Sequence, residues 1–514
     1  MKPLDLGTLF DTLERRNSPT VVHLDRPFDV APNGGTAYRI GQLAALVRDL
    51  SGALWSAGLR PGDHLAVVKR NHWDTVLVAC AAVRLGAVPA LLSAQVPAEA
   101  LGAMLERLRP ALTVTDRLPD TDLLWNRGVS VASVAELSGL RGAPAPPVHR
   151  RHDDAPLIIN HTSGTTGVPK LVIHSTTTMI RRLAGFEANP LPVLTAGRGD
   201  VVASAISFAH GRAVSWTASV LWHRPRSLVI VSDPAPEPAL SLLERHRPSI
   251  LECLPATYVR WQPHAGRLSG VRLFISTFDA VHPGTVRDYL RASRRRFPLW
   301  LQGWGQTETG ALTLRVLTRR SLAPGRRGRP TTRHLGWPVP FRTELKVVDP
   351  ETMTDLPRGR PGLILARTGA RCLGYVAEQE RWHHKTDGRW FVTGDLGTRD
   401  RLGAVILLDR EVDAVPEVSC LAVEDLIDDR LPGVTECVLL GLPESPPMPV
   451  LVTETGTLDE AAWAQAVADL PPLGRPVLLT ERQVPRTPTG KVRRVELLSR
   501  LTGLATSHGS GRWT

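Results

Sequence analysis

NHTSGTTGVPK, residues 160–170, is a knot of small and hydroxyl residues set between two apolar runs, 156–159 and 171–173. Ser163, Thr165 and Thr166 supply hydroxyl donors, Gly164 and Gly167 let backbone N–H groups approach an anion with no Cβ in the way, and Lys170 adds a positive charge. That is the chemistry of a triphosphate grip. The apolar run after Lys170 reads as a strand, whereas the G-x-x-x-x-G-K-[ST] phosphate loop opens a helix, so two strands are expected to bracket the grip.

Outward from this knot the chain alternates. Helical spacing of apolar residues over 38–59, 74–85 and 97–108 is interleaved with β-rich runs at 64–68, 88–92 and 112–115. Such alternation predicts a parallel sheet with helices on its faces. Beyond the knot the pattern repeats, with strands at 201–206, 227–231 and 250–254 and helices at 213–221 and 237–245. From 335 to 395 short β runs joined by Gly, Pro and Asp turns predict a smaller β unit. After about Asp409 strands and helices restart, so the expected fold is α/β: residues 1–408 form a large domain of two α/β layers plus the β unit, and residues 409–514 a small mobile α+β domain.

Composition excludes more than it identifies. A length of 514 residues accommodates several cores, and 42% hydrophobic with 22% charged residues is ordinary for a soluble protein. The net charge of +12 comes mostly from scattered Arg, so neither a nucleic-acid stripe nor a membrane-binding face is expected, although the field suits nucleotides. Five widely spaced cysteines with no C-x-x-C pair indicate neither a disulfide framework nor a zinc site. Residues 1–17 lack an apolar core for a secretory signal, and 76–92 is interrupted by Arg84, Gly86 and Pro89, so a cytoplasmic protein with no membrane span is expected.

Three further stretches carry chemistry. In GWGQTETG, 303–310, Gly303 and Gly305 flank Trp304, whose ring can stack on a purine; Thr307 can donate to a phosphate and Glu308 is a hard oxygen ligand suited to Mg²⁺. WFVTGDLG, 390–397, places Asp395 to accept from ribose hydroxyls, and PRTPTGKVR, 485–493, presents Lys491 on a Pro/Thr/Gly loop. Together these make an ATP site divided between a large and a small domain.

The four stretches, in this order, resemble the adenylate-forming superfamily that contains acyl-CoA synthetases, adenylation domains of peptide synthetases and luciferases. Gly374-Tyr375 and VRLGAVPALL at 83–92 fit its weaker signatures. The resemblance covers nearly the whole chain. It implies that a carboxylate attacks the α-phosphate of Mg·ATP to give an acyl-adenylate, after which CoA or a carrier-protein pantetheine displaces AMP. Ser163, Thr165, Thr166 and Lys170 would then hold the outer phosphates, Thr307 the α-phosphate, Glu308 Mg²⁺, and Asp395 with Arg410 the ribose. Lys491 and Thr166 would serve the reaction itself. His210, in FAHG, would line the acid pocket and gate thiol entry, and Phe208, Trp216, Phe278 and Gly305 would complete a largely apolar pocket for an acid lacking an α-amino group.

This sequence departs from the family's pattern at three places, the least consequential being Leu171, where a Gly usually follows the lysine of the first stretch. Thr277 and Phe278 stand where the family has a Gly-Gly pair against the adenine and acyl groups, and the benzyl group is expected to crowd or reshape that site. In DREVDAVPEVS, 409–419, Val412, Pro416 and Ser419 replace a polar hinge residue, a Lys and a Gly. An acyl-CoA synthetase is the leading expectation. A half-reaction enzyme, either adenylating for a carrier protein or thioesterifying a preformed adenylate, and a non-catalytic nucleotide-binding relative are the alternatives.

Overall fold

The computed structural model describes residues 4–116, 130–140, 142–162, 168–323, 332–410, 419–431, 433–442 and 445–503. Its first sheet runs, in spatial order, Gly374–Tyr375, Leu171–Ser175, Pro156–His161, Val88–Ser93, His64–Lys69, Leu112–Thr115 and Val131–Ser133. The last five are parallel, and an antiparallel pair, Pro156–His161 with Leu171–Ser175, brackets the polar knot. Lys170 therefore leads into a strand. Their near-continuous burial explains why these strands read as apolar runs: both faces are covered by helices.

The second sheet has a parallel half, Leu299–Gln306, Leu273–Ser276, Ile250–Cys253, Val201–Ala205, Ser227–Ile230 and Val21–Leu24. Antiparallel pairing then extends it through Gly310–Thr318, His334–Pro338, Val405–Arg410, Trp390–Arg399, Gly362–Thr368 and Thr343–Val348. The expected β unit is thus hydrogen-bonded onto the edge of the second α/β layer. Val434–Leu442, Ser445–Thr453 and Val477–Leu479 form a third sheet with its own core, in which Val423, Ile427, Leu439, Leu451 and Trp463 meet. Among the described residues no helix is long and apolar enough to cross a membrane.

The helix Asp74–Arg84 lies between the two large layers and buries nine of its residues, from Asp74 to Ala82. Its entry is fixed by polar contacts. The Trp73 indole donates to the Thr217 hydroxyl at 2.9 Å, and the buried Lys69 ammonium meets Asp29 at 2.8 Å and Asp74 at 3.4 Å. Asn71, between them, donates through Nδ2 to the carbonyls of Ile206 (3.1 Å) and Ser232 (3.0 Å) and accepts from the Phe208 N–H at 2.7 Å. One side chain of the first layer thereby holds the loop that follows the central strand of the second.

Each net hydrogen bond of this kind contributes about 1 kcal/mol, and a stranded buried carbonyl costs more. Asn71→Ala is expected to lower stability by about 2–4 kcal/mol. Denaturant unfolding checks this; a loss below 1 kcal/mol would mean that the staple does not hold the loop.

Candidate functional site

Parallel strands carry their functional side chains just past their carboxyl ends. Here both sheets aim those ends at one chamber of about 350 Å³. Thr162 follows Pro156–His161, His210 follows Val201–Ala205, Thr277 and Phe278 follow Leu273–Ser276, and Thr307 and Glu308 follow Leu299–Gln306. A nine-residue π-helical segment, Thr176–Ala184, turns Met179 and Leu183 into the wall; such widened turns recur at functional sites.

Of the residues expected from sequence, Lys170, His210, Trp216, Phe278, Trp304, Gly305, Thr307, Glu308, Arg410 and Lys491 all line this chamber. Ser163, Thr165 and Thr166 lie outside the described residues, as do Val412 and Pro416. Asp395 is buried beside the wall, accepting from Gln306 Nε2 at 2.9 Å and lying 3.5 Å from Arg410 Nε. Gln306 also donates to the Thr393 carbonyl at 2.8 Å, so it ties the aromatic–Thr–Glu stretch to the strand that carries Asp395. Phe208 is a correction. It is fully buried in the core between the layers and does not line the chamber, because Asn71 fixes its backbone and the ring turns inward.

The chemistry of His210 follows from its bonds. Its Nδ1 accepts the Arg212 N–H at 3.0 Å and so caps the helix Gly211–Trp222. The ring proton of the neutral imidazole therefore sits on Nε2, 3.3 Å from the Thr307 hydroxyl. Burial first, then neighbouring His161, Lys491 and Arg212, pull the pKa of His210 down to about 3. It is a neutral donor at physiological pH. Thr307 is held from behind by His174, whose Nε2 lies 2.8 Å from the Thr307 carbonyl and whose Nδ1 lies 3.0 Å from the Thr178 hydroxyl. Sequence reading missed His174, since an isolated His in a strand carries no motif.

Glu308 is buried and accepts from the Tyr375 hydroxyl at 2.8 Å. As one carboxylate among cations it fits a Mg²⁺ that brings its own phosphate and water ligands, and it does not form a protein cage. Lys170, Arg381, Lys385 and Arg410 line the chamber with it. Burial and then nearby Lys170 bring the Lys385 pKa to about 7, opposed by Glu308 and Asp395. Burial likewise lowers that of Lys170. A polyanion entering this group favours the charged form of Lys385. Gly305 is required by contact: a Cβ there would stand 1.9 Å from the Gly310 carbonyl oxygen.

Lys491 reaches the chamber from a hairpin-like loop closed by Thr487 N–H to the Lys491 carbonyl at 2.8 Å and Lys491 N–H to the Thr487 hydroxyl at 3.1 Å. Gly490 in this loop has φ +85°. Arg486 anchors the loop on Glu436 and Glu481.

Two sequence expectations about the pocket are refined. Phe278 does stand in the wall, packed edge-on against His210 at 4.8 Å between ring centres, with φ +81°. That is left-handed backbone, the conformation in which glycine carries no penalty. The pocket is also less apolar than expected, because Glu187, Arg212 and Glu252 line it together. They come from separate elements and share no local pattern in sequence.

Similarity to known proteins agrees with the site. A family model described as AMP-binding enzyme matches residues 17–376. The 3-amino-2-hydroxy-4-methoxybenzoate diazotase of Streptomyces cremeus is 36% identical, over 98% of this chain and 97% of that protein. The anthranilate–CoA ligase of Pseudomonas aeruginosa is 28% identical over 74% of each chain. ATP-bound MatB from Rhodopseudomonas palustris shares the fold, with a TM-score of 0.78 at 24% identity over 96% of this chain and 98% of that one.

A bulky residue held at positive φ carries about 1–2 kcal/mol of strain. Phe278→Gly releases it, whereas Phe278→Ala loses the ring contact and keeps the strained Cβ. The glycine variant is therefore expected to be the more stable of the two by about 1 kcal/mol, reversing the usual order. Thermal unfolding of the pair checks this, and an alanine variant at least as stable as the glycine one would contradict it.

Proposed function

The chain belongs to the AMP-binding enzyme family, and from that premise we propose that it is an ATP-dependent diazotase, joining nitrite to AMP and passing the activated nitrosyl group to an aromatic amine. The observation that carries an adenylation reading is the convergence of Lys170, Thr307, Glu308, Arg410 and Lys491 on one chamber with His210. The full-length similarity to a diazotase favours nitrogen as the acceptor.

In the first step an oxygen of the acid attacks the α-phosphorus of ATP and pyrophosphate leaves. Lys170, Arg381 and Lys385 would hold the outer phosphates, Glu308 would hold Mg²⁺, and Asp395 with Arg410 would hold the ribose. Mg²⁺, when bound, supplies charge neutralisation at the phosphates. Lys491 would bridge the acid and the α-phosphate, stabilising charge as it develops. In the second step the amine nitrogen attacks the nitrosyl nitrogen and AMP departs with the oxygen it gained. The N-nitrosoammonium product loses one N–H proton to solvent, its second N–H proton moves to the nitroso oxygen to give the diazohydroxide, and protonation by solvent lets that hydroxyl leave as water, giving the aryl diazonium ion. Neutral His210 donates from Nε2 through this sequence and does not compete as a cation. Residues 409–514 would act as the lid that brings Lys491 in and withdraws it.

The second reading is aryl-acid–CoA ligation, with free CoA or a carrier pantetheine as acceptor. The apolar walls of the chamber and the similarity to an anthranilate–CoA ligase favour it. Against it stands Ser419, whose hydroxyl is tied to the Leu408 carbonyl at 2.9 Å, at the position where the family resemblance implies a glycine facing the thiol.

The two readings separate in one experiment. With ATP, Mg²⁺, nitrite and 3-amino-4-hydroxybenzoate, the first predicts ATP-dependent diazonium, trapped as an azo dye with N-(1-naphthyl)ethylenediamine. ATP-dependent CoA thioester from aromatic acids, with no dye above the nitrite blank, would replace it by the second. Lys491→Ala is expected to slow AMP formation at least about a hundredfold while ATP affinity changes only a few-fold. Loss of ATP affinity to the same extent would remove Lys491 from the chemical step.

A further inference from the structure

The chamber holds a second charged group, built on elements apart from the phosphate-facing cations. Glu187 ends the short helix Gly185–Glu187, Arg212 lies in the first turn of Gly211–Trp222, and Glu252 sits in the strand Ile250–Cys253. Arg212 donates to Glu252 through Nε (2.8 Å) and Nη2 (2.9 Å), and to Glu187 through Nη1 at 2.5 Å. The Glu252 side chain has no exposure at all, and its Oε1 also lies 3.3 Å from the Thr277 hydroxyl. Arg212 and Glu252 thus satisfy one another. Glu187 differs. Its side chain keeps 30% exposure, and its Oε2 meets only the Ser219 hydroxyl, at 3.0 Å, among the described side chains.

That hydroxyl has a second acceptor within reach, the Trp216 carbonyl at 3.1 Å. A serine has one proton to give. It can turn to Trp216 and release Glu187 Oε2 to another donor without leaving any group unpaired. Two carboxylates to one guanidinium in a largely enclosed space are costly unless a further donor completes them. Arg342 also lines the chamber, packs over the Phe186 ring and is near enough to attract Glu187 by charge. Met179, Leu183, Trp216, Ile275 and Leu301 supply apolar walls around the group, which suits a flat ring.

We propose that Glu187, oriented by Arg212 and Glu252, is the specificity residue that accepts a hydrogen bond from an amino or hydroxyl substituent on the aromatic ring of the substrate. This rests on the reading that the chamber is the substrate site, and it holds for either acceptor chemistry. The ring enters with its reacting group, the amine in the first reading or the carboxylate in the second, toward Lys491 and His210, and with a separate hydroxyl or amino substituent toward Glu187. Ser219 yields its place at Oε2 as the ring arrives.

Binding measured by calorimetry tests this without turnover. The probes are benzoates carrying an amino, a hydroxyl or a methyl group at C3 or C4. The wild type is expected to bind the better amino or hydroxyl isomer at least about tenfold more tightly than its methyl counterpart, the range of one hydrogen bond to a charged group. Glu187→Leu should abolish that preference, and Glu187→Gln, which keeps an acceptor, should retain part of it. Equal binding of all three substituents by the wild type would overturn the inference and leave the chamber reading standing. A preference that survives in a folded Glu187→Leu protein would do the same. No binding of any benzoate, by a protein that still binds ATP, would overturn both.

Discussion

Everything around the chamber depends on two parallel sheets ending at the same place. A strand delivers a side chain with a definite direction at its carboxyl end, and a loop held there inherits that precision. The helix Asp74–Arg84, buried between the layers, sets their spacing, and Asn71 sets their register by bonding to Ile206, Phe208 and Ser232. His210 is two residues beyond that staple. Its imidazole is then locked from one side by the Arg212 N–H and from the other by Thr307.

From this placement the electrostatics follow. Lys170, Arg381, Lys385 and Arg410 line the chamber with Glu308, and burial lowers the pKa of Lys170 and brings that of Lys385 to about 7. Arg381 is paired with Glu378 and Arg410 lies 3.5 Å from Asp395, so Lys170 and Lys385 are the cations that the proposed phosphate binding draws on most. In the Glu187–Arg212–Glu252 group two carboxylates share the Arg212 guanidinium, with Arg342 near enough to act on Glu187, and Glu187 keeps an oxygen able to accept from a donor. On the proposed reading, phosphate at one group, a ring donor at the other and apolar walls between them orient a small aromatic substrate before any reaction begins.

Much of the large-scale fold was legible in the sequence, because alternation of helical and strand patterns is set by local burial. The strand Leu112–Thr115 coincides with its β-rich run residue for residue. What escaped was set by distant partners. Val21–Leu24 is a four-residue strand that exists because Ser227–Ile230 lies beside it. Gly310–Thr318 returns from Leu299–Gln306 through the turn at 307–309, and it joins the β unit to the second sheet. Among site residues, the motifs located Lys170, Glu308, Asp395 and Lys491, since Gly, Thr and charge cluster there. Phe208 lies two residues before His210 in the same turn, and it is the bond from its N–H to Asn71, a distant residue, that accompanies its ring into the core. His174, Lys385, Glu187 and Glu252 belong to no local pattern and meet only in space.

The central claim is that an acid oxygen becomes bonded to the α-phosphorus of ATP in this chamber, whichever acceptor follows. Its most direct measurement uses ¹⁸O-labelled acid, nitrite in one arm and an aromatic carboxylate in the other, with mass spectrometry of the nucleotide product after a full turnover. The account predicts AMP carrying one ¹⁸O in its phosphate in the arm that turns over. Unlabelled AMP, or ADP with labelled inorganic phosphate, would contradict it.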